Sequence, residues 1–163
     1  MGADSSEERF LDIPNDTSDP LINDATYLTF FSNDTRYAID LGSVQEIRRL
    51  GSVTSLPRSP EEIIGLINIR GNLVHVVDFD FLMNARRRVP SERAVVILVA
   101  MPSNIVGLAV DAAGDILSVK LDGRSSIGTP QGTSGLNHIV ELIYEDDRPI
   151  CVVDIESLLG AVA

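Results

Sequence analysis

From Tyr27 onward the apolar residues come in short runs broken by turn residues, with the period of two that half-buried β-strands show. Tyr27-Leu28-Thr29-Phe30-Phe31 and Arg36-Tyr37-Ala38-Ile39-Asp40 flank Asn33-Asp34-Thr35, whose Asn and Asp suit a turn because they bond their own backbone. Residues 42–47 read as one short helix. Pro57 and Pro60 mark a corner before the apolar run 63–69, and Arg70-Gly71-Asn72 folds that run back into residues 73–78 as a hairpin. Further strands are expected at 94–100, 105–110, 116–121, 139–144 and 150–153. Many short strands with few helices predict an all-β fold built from small barrels.

Two segments echo each other along the chain. Val76-Val77-Asp78-Phe79-Asp80-Phe81-Leu82 returns 76 residues later as Val152-Val153-Asp154-Ile155-Glu156-Ser157-Leu158. In both, a strand runs into an Asp suited to cap the free N–H groups of a helical turn. Ala38-Ile39-Asp40 likewise returns 71 residues later as Ala109-Val110-Asp111. The shared order points to a duplication and to two similar lobes.

Composition changes this picture in three places. The 163 residues fit one domain or two small lobes sharing a core. A chain of this length can bury about two-thirds of its unfolded surface without a disulfide or metal. The 24 acidic and 13 basic residues give a net charge of −11, which disfavours nucleic acid as a partner, since phosphate binding rests on clustered Lys and Arg. More than half of that charge lies in residues 1–26, where seven acidic side chains accompany one Arg, so a disordered tail is expected there. Phe10-Leu11-Asp12-Ile13 is the run within it that could dock. Aromatics are only 5% and Trp is absent, which predicts an aliphatic core. The single cysteine, Cys151, excludes an internal disulfide and a multi-thiolate metal site. No apolar run approaches the ~18 residues of a membrane helix, so direct membrane insertion is not expected. The first residues lack a basic-then-apolar signal pattern, and a cytoplasmic location is expected.

Candidate chemistry is sparse. The two histidines, His75 and His138, lie in or beside apolar strands and share no motif with a nucleophile. With one Cys they cannot furnish a zinc site, and no cofactor is expected. The loop Gly128-Thr129-Pro130-Gln131-Gly132-Thr133-Ser134-Gly135 has no Lys or Arg to cradle a phosphate. Arg86-Arg87-Arg88 reads as a solvated loop between lobes or as a contact for an acidic partner. The one enzyme reading pairs Asp40 with Asp111 as carboxylates sharing a proton across two lobes, as in aspartic proteases. Their loops, Asp40-Leu41-Gly42 and Asp111-Ala112-Ala113-Gly114, lack the hydroxyl residue such sites carry after the Asp. Arg70 differs from these candidates. Asn68 and Gly71 shape a tight turn around it, and a guanidinium held at a hairpin apex stays charged and can fork onto a carboxylate.

Around Arg70 the sequence resembles the CheW family of chemotaxis coupling proteins. The motifs are Pro57-Arg58-Ser59-Pro60, Ile63-Ile64-Gly65 and Leu66-Ile67-Asn68-Ile69-Arg70-Gly71. They are joined by Tyr37-Ala38-Ile39-Asp40 with Val44-Gln45-Glu46-Ile47, then Val106-Gly107-Leu108-Ala109-Val110-Asp111, and last Val152-Val153-Asp154 with Leu158-Leu159. Ile69 stands where the family has Leu, and His75 where many relatives have Pro. The resemblance implies two intertwined small five-stranded SH3-like β-barrel subdomains with a few short helices, across residues 27–163 and dividing near residues 84–93. It implies no catalysis, no metal and no cofactor. Members couple chemoreceptors to the histidine kinase CheA, binding the kinase's CheW-like regulatory domain and the receptors' cytoplasmic helical tip, and self-associate within signalling arrays. An adaptor of a non-flagellar chemosensory pathway, serving pili or development, is the alternative. By the same resemblance Val44, Glu46, Gly65, Asn68, Arg70, Gly71 and Gly107 form the receptor- or kinase-binding set. Val44 is an apolar anchor that would serve equally as core. Glu46 and Arg70 make charge-assisted contacts, and the glycines set backbone geometry.

Overall fold

The computed structural model describes residues 24–86, 92–120, 125–126 and 138–160. The expected tail up to residue 23, the dipeptide Arg87-Arg88 and the glycine-rich loop at 128–135 lie outside the described residues. Eleven strands and two short α-helices follow one another along the described chain. They are β1 (Asp24–Ser32), β2 (Thr35–Asp40), β3 (Val44–Arg49), β4 (Ile63–Ile69), β5 (Asn72–Asp78), α1 (Phe79–Asn84), β6 (Val95–Ala100), β7 (Ile105–Val110), β8 (Ala112–Lys120), β9 (Ser125–Ser126), β10 (Ile139–Glu145), β11 (Arg148–Val153) and α2 (Ile155–Gly160).

The strands form two sheets, ordered β8-β1-β2-β11-β10-β9 and β3-β6-β7-β5-β4. Neither sheet is one contiguous half of the chain. The hairpin β1–β2 joins the strands that come last in sequence, and the hairpin β6–β7 joins β3, β4 and β5. Each exchange is fastened by one parallel pair, β2 with β11 (Ala38↔Val152) and β7 with β5 (Leu108↔Val77). These four strands are the ones that carry the sequence echoes. The intertwining therefore stands, but the barrels are not closed ladders: among the described residues, backbone pairing across the opening of the second sheet is limited to the isolated bridge Thr54↔Leu66.

The alternating apolar pattern sends side chains to three cores. The largest lies between the sheets and takes Leu28, Phe30 and Ile39 from the first, Ile97, Val99 and Leu108 from the second, Phe79 and Met83 from α1, and Leu158 and Leu159 from α2. A second fills the curl of the second sheet with Ile67, Val74, Val76, Val96 and Leu98. A third holds Tyr27, Ala38, Ile143, Ile150 and Val152. The centre is not purely aliphatic, as composition suggested. Phe79 packs edge-on against Phe30 and Tyr37, with centroids 4.9 and 4.7 Å away. Three of the chain's eight aromatics thus meet where the lobes join.

Three local expectations need correcting. Residues 42–47 are not a helix: only Leu41–Ser43 makes a 3-10 turn, capped by Asp40, and Val44 starts β3, which pairs with β6. One capped turn without a following apolar helical face cannot propagate, and strand pairing wins. The first strand begins at Asp24, three residues before Tyr27, because it has a partner in β8 there (Asp24↔Lys120). Strand β8 begins at Ala112 rather than residue 116. Ala and Gly have weak strand preference, but Ala112 and Ala113 pair with Phe31 and Phe30. The helix caps follow the sequence: Asp78 accepts from the Asp80 amide at 3.1 Å, and Asp154 from the Ser157 amide at 3.3 Å.

Candidate partner-binding site

The turn between β4 and β5 is a two-residue hairpin with both central residues left-handed, Arg70 at φ 51° and Gly71 at φ 89°. That geometry matches the twist of the flanking strands, and Gly supplies the second position without strain. Asn68 Oδ1 accepts from the Gly71 amide at 2.8 Å and locks the turn. Arg70 itself is held where an L-residue is disfavoured by roughly 1–2 kcal/mol. Its side chain is 72% exposed, and its Nη2 lies 3.0 Å from Glu46 Oε1.

Glu46 reaches that position because of a bulge. Val44 opposes Val99 and Glu46 opposes Leu98, so one extra residue, Gln45, is inserted in the ladder with β6. Without it Glu46 would share a face with Val44, which packs against the inter-lobe core. With it, Glu46 opposes Leu98 of the second core and sits beside the Arg70 apex. β3 and β4 are opposite edges of the sheet, so this ion pair spans its opening. A second cation reaches the same carboxylate, with Arg48 Nε 3.4 Å from Glu46 Oε2. Sequence reasoning missed Arg48. The signal was there, since residues i and i+2 share a face on a strand, but the helix expectation hid it.

The named glycines act differently from Arg70. Gly65 and Gly107 are buried and offer no side chain to a partner. A Cβ on Gly65 would overlap the Thr54 carbonyl, so Gly65 permits the Thr54↔Leu66 bridge. A Cβ on Gly107 would lie 2.8 Å from Val96 Cγ2. Val44 is half-buried and leans on the core, whereas Asn68, Arg70 and Gly71 are exposed together at the apex. Leu73, two residues beyond Gly71 and opposite Asn68, is 66% exposed and was also missed.

The structure overturns the aspartic dyad. Asp40 sits opposite Tyr27 and caps the Gly42 amide, while Asp111 accepts from the Asn33 amide at 2.8 Å. They flank opposite ends of β1, roughly 15–20 Å apart at about 3.3 Å per residue. His75 is exposed on β5. His138 Nδ1 lies 2.8 Å from Ser157 Oγ, but the Asp154 carboxylate is engaged by the Ser157 amide rather than the ring. A cleft of about 380 Å³ lined by Tyr27, Asp40, Glu141, Asp154 and Glu156 lies in the other lobe and includes none of the seven residues of the expected binding set. Among the described residues no three His, Cys, Asp or Glu side chains gather as metal ligands.

Comparison with known proteins meets this geometry at the level of the whole fold. The family model of the CheW-like domain matches residues 26–163. The chain is 31% identical over 133 residues to the chemotaxis protein CheW of Rhizobium meliloti, covering 80% of this chain and 84% of that protein. It is 31% identical over 139 residues to the probable chemotaxis protein CheW of Rhizobium etli, covering 84% and 88%. The crystal structure of the scaffolding protein TtCheW from Thermoanaerobacter tengcongensis superposes with a TM-score of 0.74 at 23% identity, over 83% of this chain and 92% of that one. Two interlocked β-lobes, ordered motifs and relatives along most of its length place this chain in the CheW-like family, a family of non-catalytic chemotaxis scaffolds.

Proposed function

We propose that this scaffold couples chemoreceptors to a CheA-type histidine kinase, with the Arg70 apex as a contact for one of the two. The supporting observation is the apex itself. A long cation is held in a left-handed conformation, 72% exposed and oriented by one carboxylate. Solubility alone does not call for a strained arginine, whereas a fixed fork suits a partner's carboxylate. Leu73 beside it adds apolar area, and together they fit a helix that presents an apolar residue next to an acidic one, as in helix-in-groove recognition. We assign that contact to the receptors' cytoplasmic helical tip, and the kinase's regulatory domain would occupy another face. The adaptor would act in the cytoplasm, recruited to receptor arrays where it self-associates. Bridging biases kinase activity when its contacts differ between signalling states.

Two experiments test this. The full chain should retain a CheA regulatory domain in a pull-down, and it should co-sediment with receptor fragments and kinase as a ternary assembly. Arg70→Glu should keep the wild-type circular dichroism spectrum and weaken that assembly. Unchanged sedimentation of the variant would refute the role of Arg70.

A further inference from the structure

Glu46 holds two arginines rather than one. Its Oε1 lies 3.0 Å from Arg70 Nη2, and its Oε2 lies 3.4 Å from Arg48 Nε. The two cations come from different elements, Arg48 from β3 and Arg70 from the turn between β4 and β5. Strand alternation puts Arg48 on the same face as Glu46, opposite Val96, while Ile47 and Arg49 take the other face. Among the described residues neither arginine has a second carboxylate.

One carboxylate neutralises only one of these two cations. A unit of positive charge is left at the opening of the second sheet, on a chain whose net charge is −11. The donors are not used up either. A guanidinium carries its N–H donors in a fixed fork, and one nitrogen of each faces Glu46: Nε of Arg48 and Nη2 of Arg70. Arg48 therefore keeps both Nη groups for another acceptor, and Arg70 keeps its Nε and Nη1. Exposure follows the same division. The Glu46 side chain is 19% exposed, against 39% for Arg48 and 72% for Arg70, so the anchor is largely covered and the two forks are open to solvent. Joined through one carboxylate, the two donor atoms stand no more than about 9 Å apart, a span that side chains one turn apart on a helix can meet.

We propose that Arg48 and Arg70, fastened to Glu46, form a two-pronged clamp for a pair of carboxylates one helical turn apart, which makes Arg48 a second specificity-determining contact. The clamp rests on the reading of Arg70 as a partner contact and narrows that partner from one acidic residue to two. Each cation alone would swing on a long stem and lose rotamer freedom on binding. Held by a shared anion, both prongs are placed beforehand, and a partner carboxylate meets a fork that is already aimed. A partner with a single carboxylate would satisfy one prong and leave the other covered without a counter-ion, so spacing is read as well as charge.

Titration of the ternary assembly of full chain, receptor fragment and kinase tests this. Arg48→Gln should weaken assembly about tenfold, with the circular dichroism spectrum and melting temperature unchanged. Arg70→Gln should weaken it by a similar factor, and the double variant should lose less than the product of the two, because neither prong keeps its full value alone. In a Glu46→Gln background that coupling should vanish. Arg49→Gln, on the other face of the strand, should assemble as wild type does, which separates a placed contact from general positive charge. On the partner, Gln in place of each acidic residue of the receptor tip should pick out two positions three or four residues apart, one of them silent against the Arg48→Gln chain. Wild-type assembly by Arg48→Gln beside impaired Arg70→Gln would overturn the clamp and leave the Arg70 contact standing. An equal loss in Arg49→Gln, or coupling that persists in Glu46→Gln, would overturn it as well. Unchanged assembly in both Arg48→Gln and Arg70→Gln would sink the Arg70 reading together with the clamp.

Discussion

Arg36 and Arg70 lie at or beside two-residue hairpin turns and each reaches a glutamate on another strand, yet their surroundings differ. Arg36, on β2 just after the Asn33-Asp34 turn, is 19% exposed. It contacts Glu145 on β10 at 2.7 Å and lies over the Phe31 ring at 5.9 Å. It is clamped inside one sheet. Arg70 occupies the turn itself, is 72% exposed and is joined to Glu46 across the open edges of the other sheet. The turns differ in the same sense. Asn33-Asp34 and Asp146-Asp147 fill their left-handed positions with residues that tolerate them, whereas the third hairpin places an arginine there. One pair cements the fold, and the other displays a charge that the fold barely uses.

That contrast can be broken by exchanging what each arginine loses. Arg70→Glu should weaken partner binding about 100-fold, the scale for a desolvated interface charge reversed, with the melting temperature unchanged. Titration of the ternary assembly beside thermal unfolding checks both halves. Gly65→Ala should do the opposite. It removes about 2 kcal/mol of stability by driving a methyl into the Thr54 carbonyl, and binding per folded molecule survives. Urea unfolding measures the first, and binding at a temperature where the variant is folded measures the second. Arg36→Ala should cost about 1 kcal/mol through lost packing and a partly buried ion pair, again with binding intact. If Arg36→Ala weakened binding as Arg70→Glu does, the division between the two pairs would collapse.

The smallest effect is alkaline. Burial raises the Cys151 thiol and, with the Cys151 and Asp80 charges, the Tyr37 hydroxyl. Both groups hold their protons more tightly folded than unfolded. Their contribution is fully present below the unfolded pKa values and is lost as pH rises through the folded ones, so stability should decline above about pH 9. Urea midpoints between pH 8 and 11 would show it, and Tyr37→Phe should flatten part of the slope. A midpoint that rose with pH would contradict the burial of both groups.

Much of this architecture was legible in the chain. Period-two runs placed most strands, because alternation is a local consequence of the pleat. Asp78 and Asp154 capped their turns as their positions implied, and Asn68, Arg70 and Gly71 made the expected hairpin, because a two-residue turn depends only on its own dihedrals. The misses lie where local preference was weak and a distant strand decided. Ala112, Ala113 and Gly114 became strand through β1. Residues 44–49 became strand through β6, and the inserted Gln45 turned Glu46 away from the inter-lobe core and toward Arg70.

By itself, then, the sequence determined the elements, their caps, their turns and the repetition of one motif. Only the tertiary structure decided that the hairpins β1–β2 and β6–β7 cross into each other's sheets, that Asp40 and Asp111 stand apart, and that Glu46 meets Arg70. The physical reason is that strand pairing joins residues far apart in sequence, and a single bulged residue reverses which face a side chain occupies.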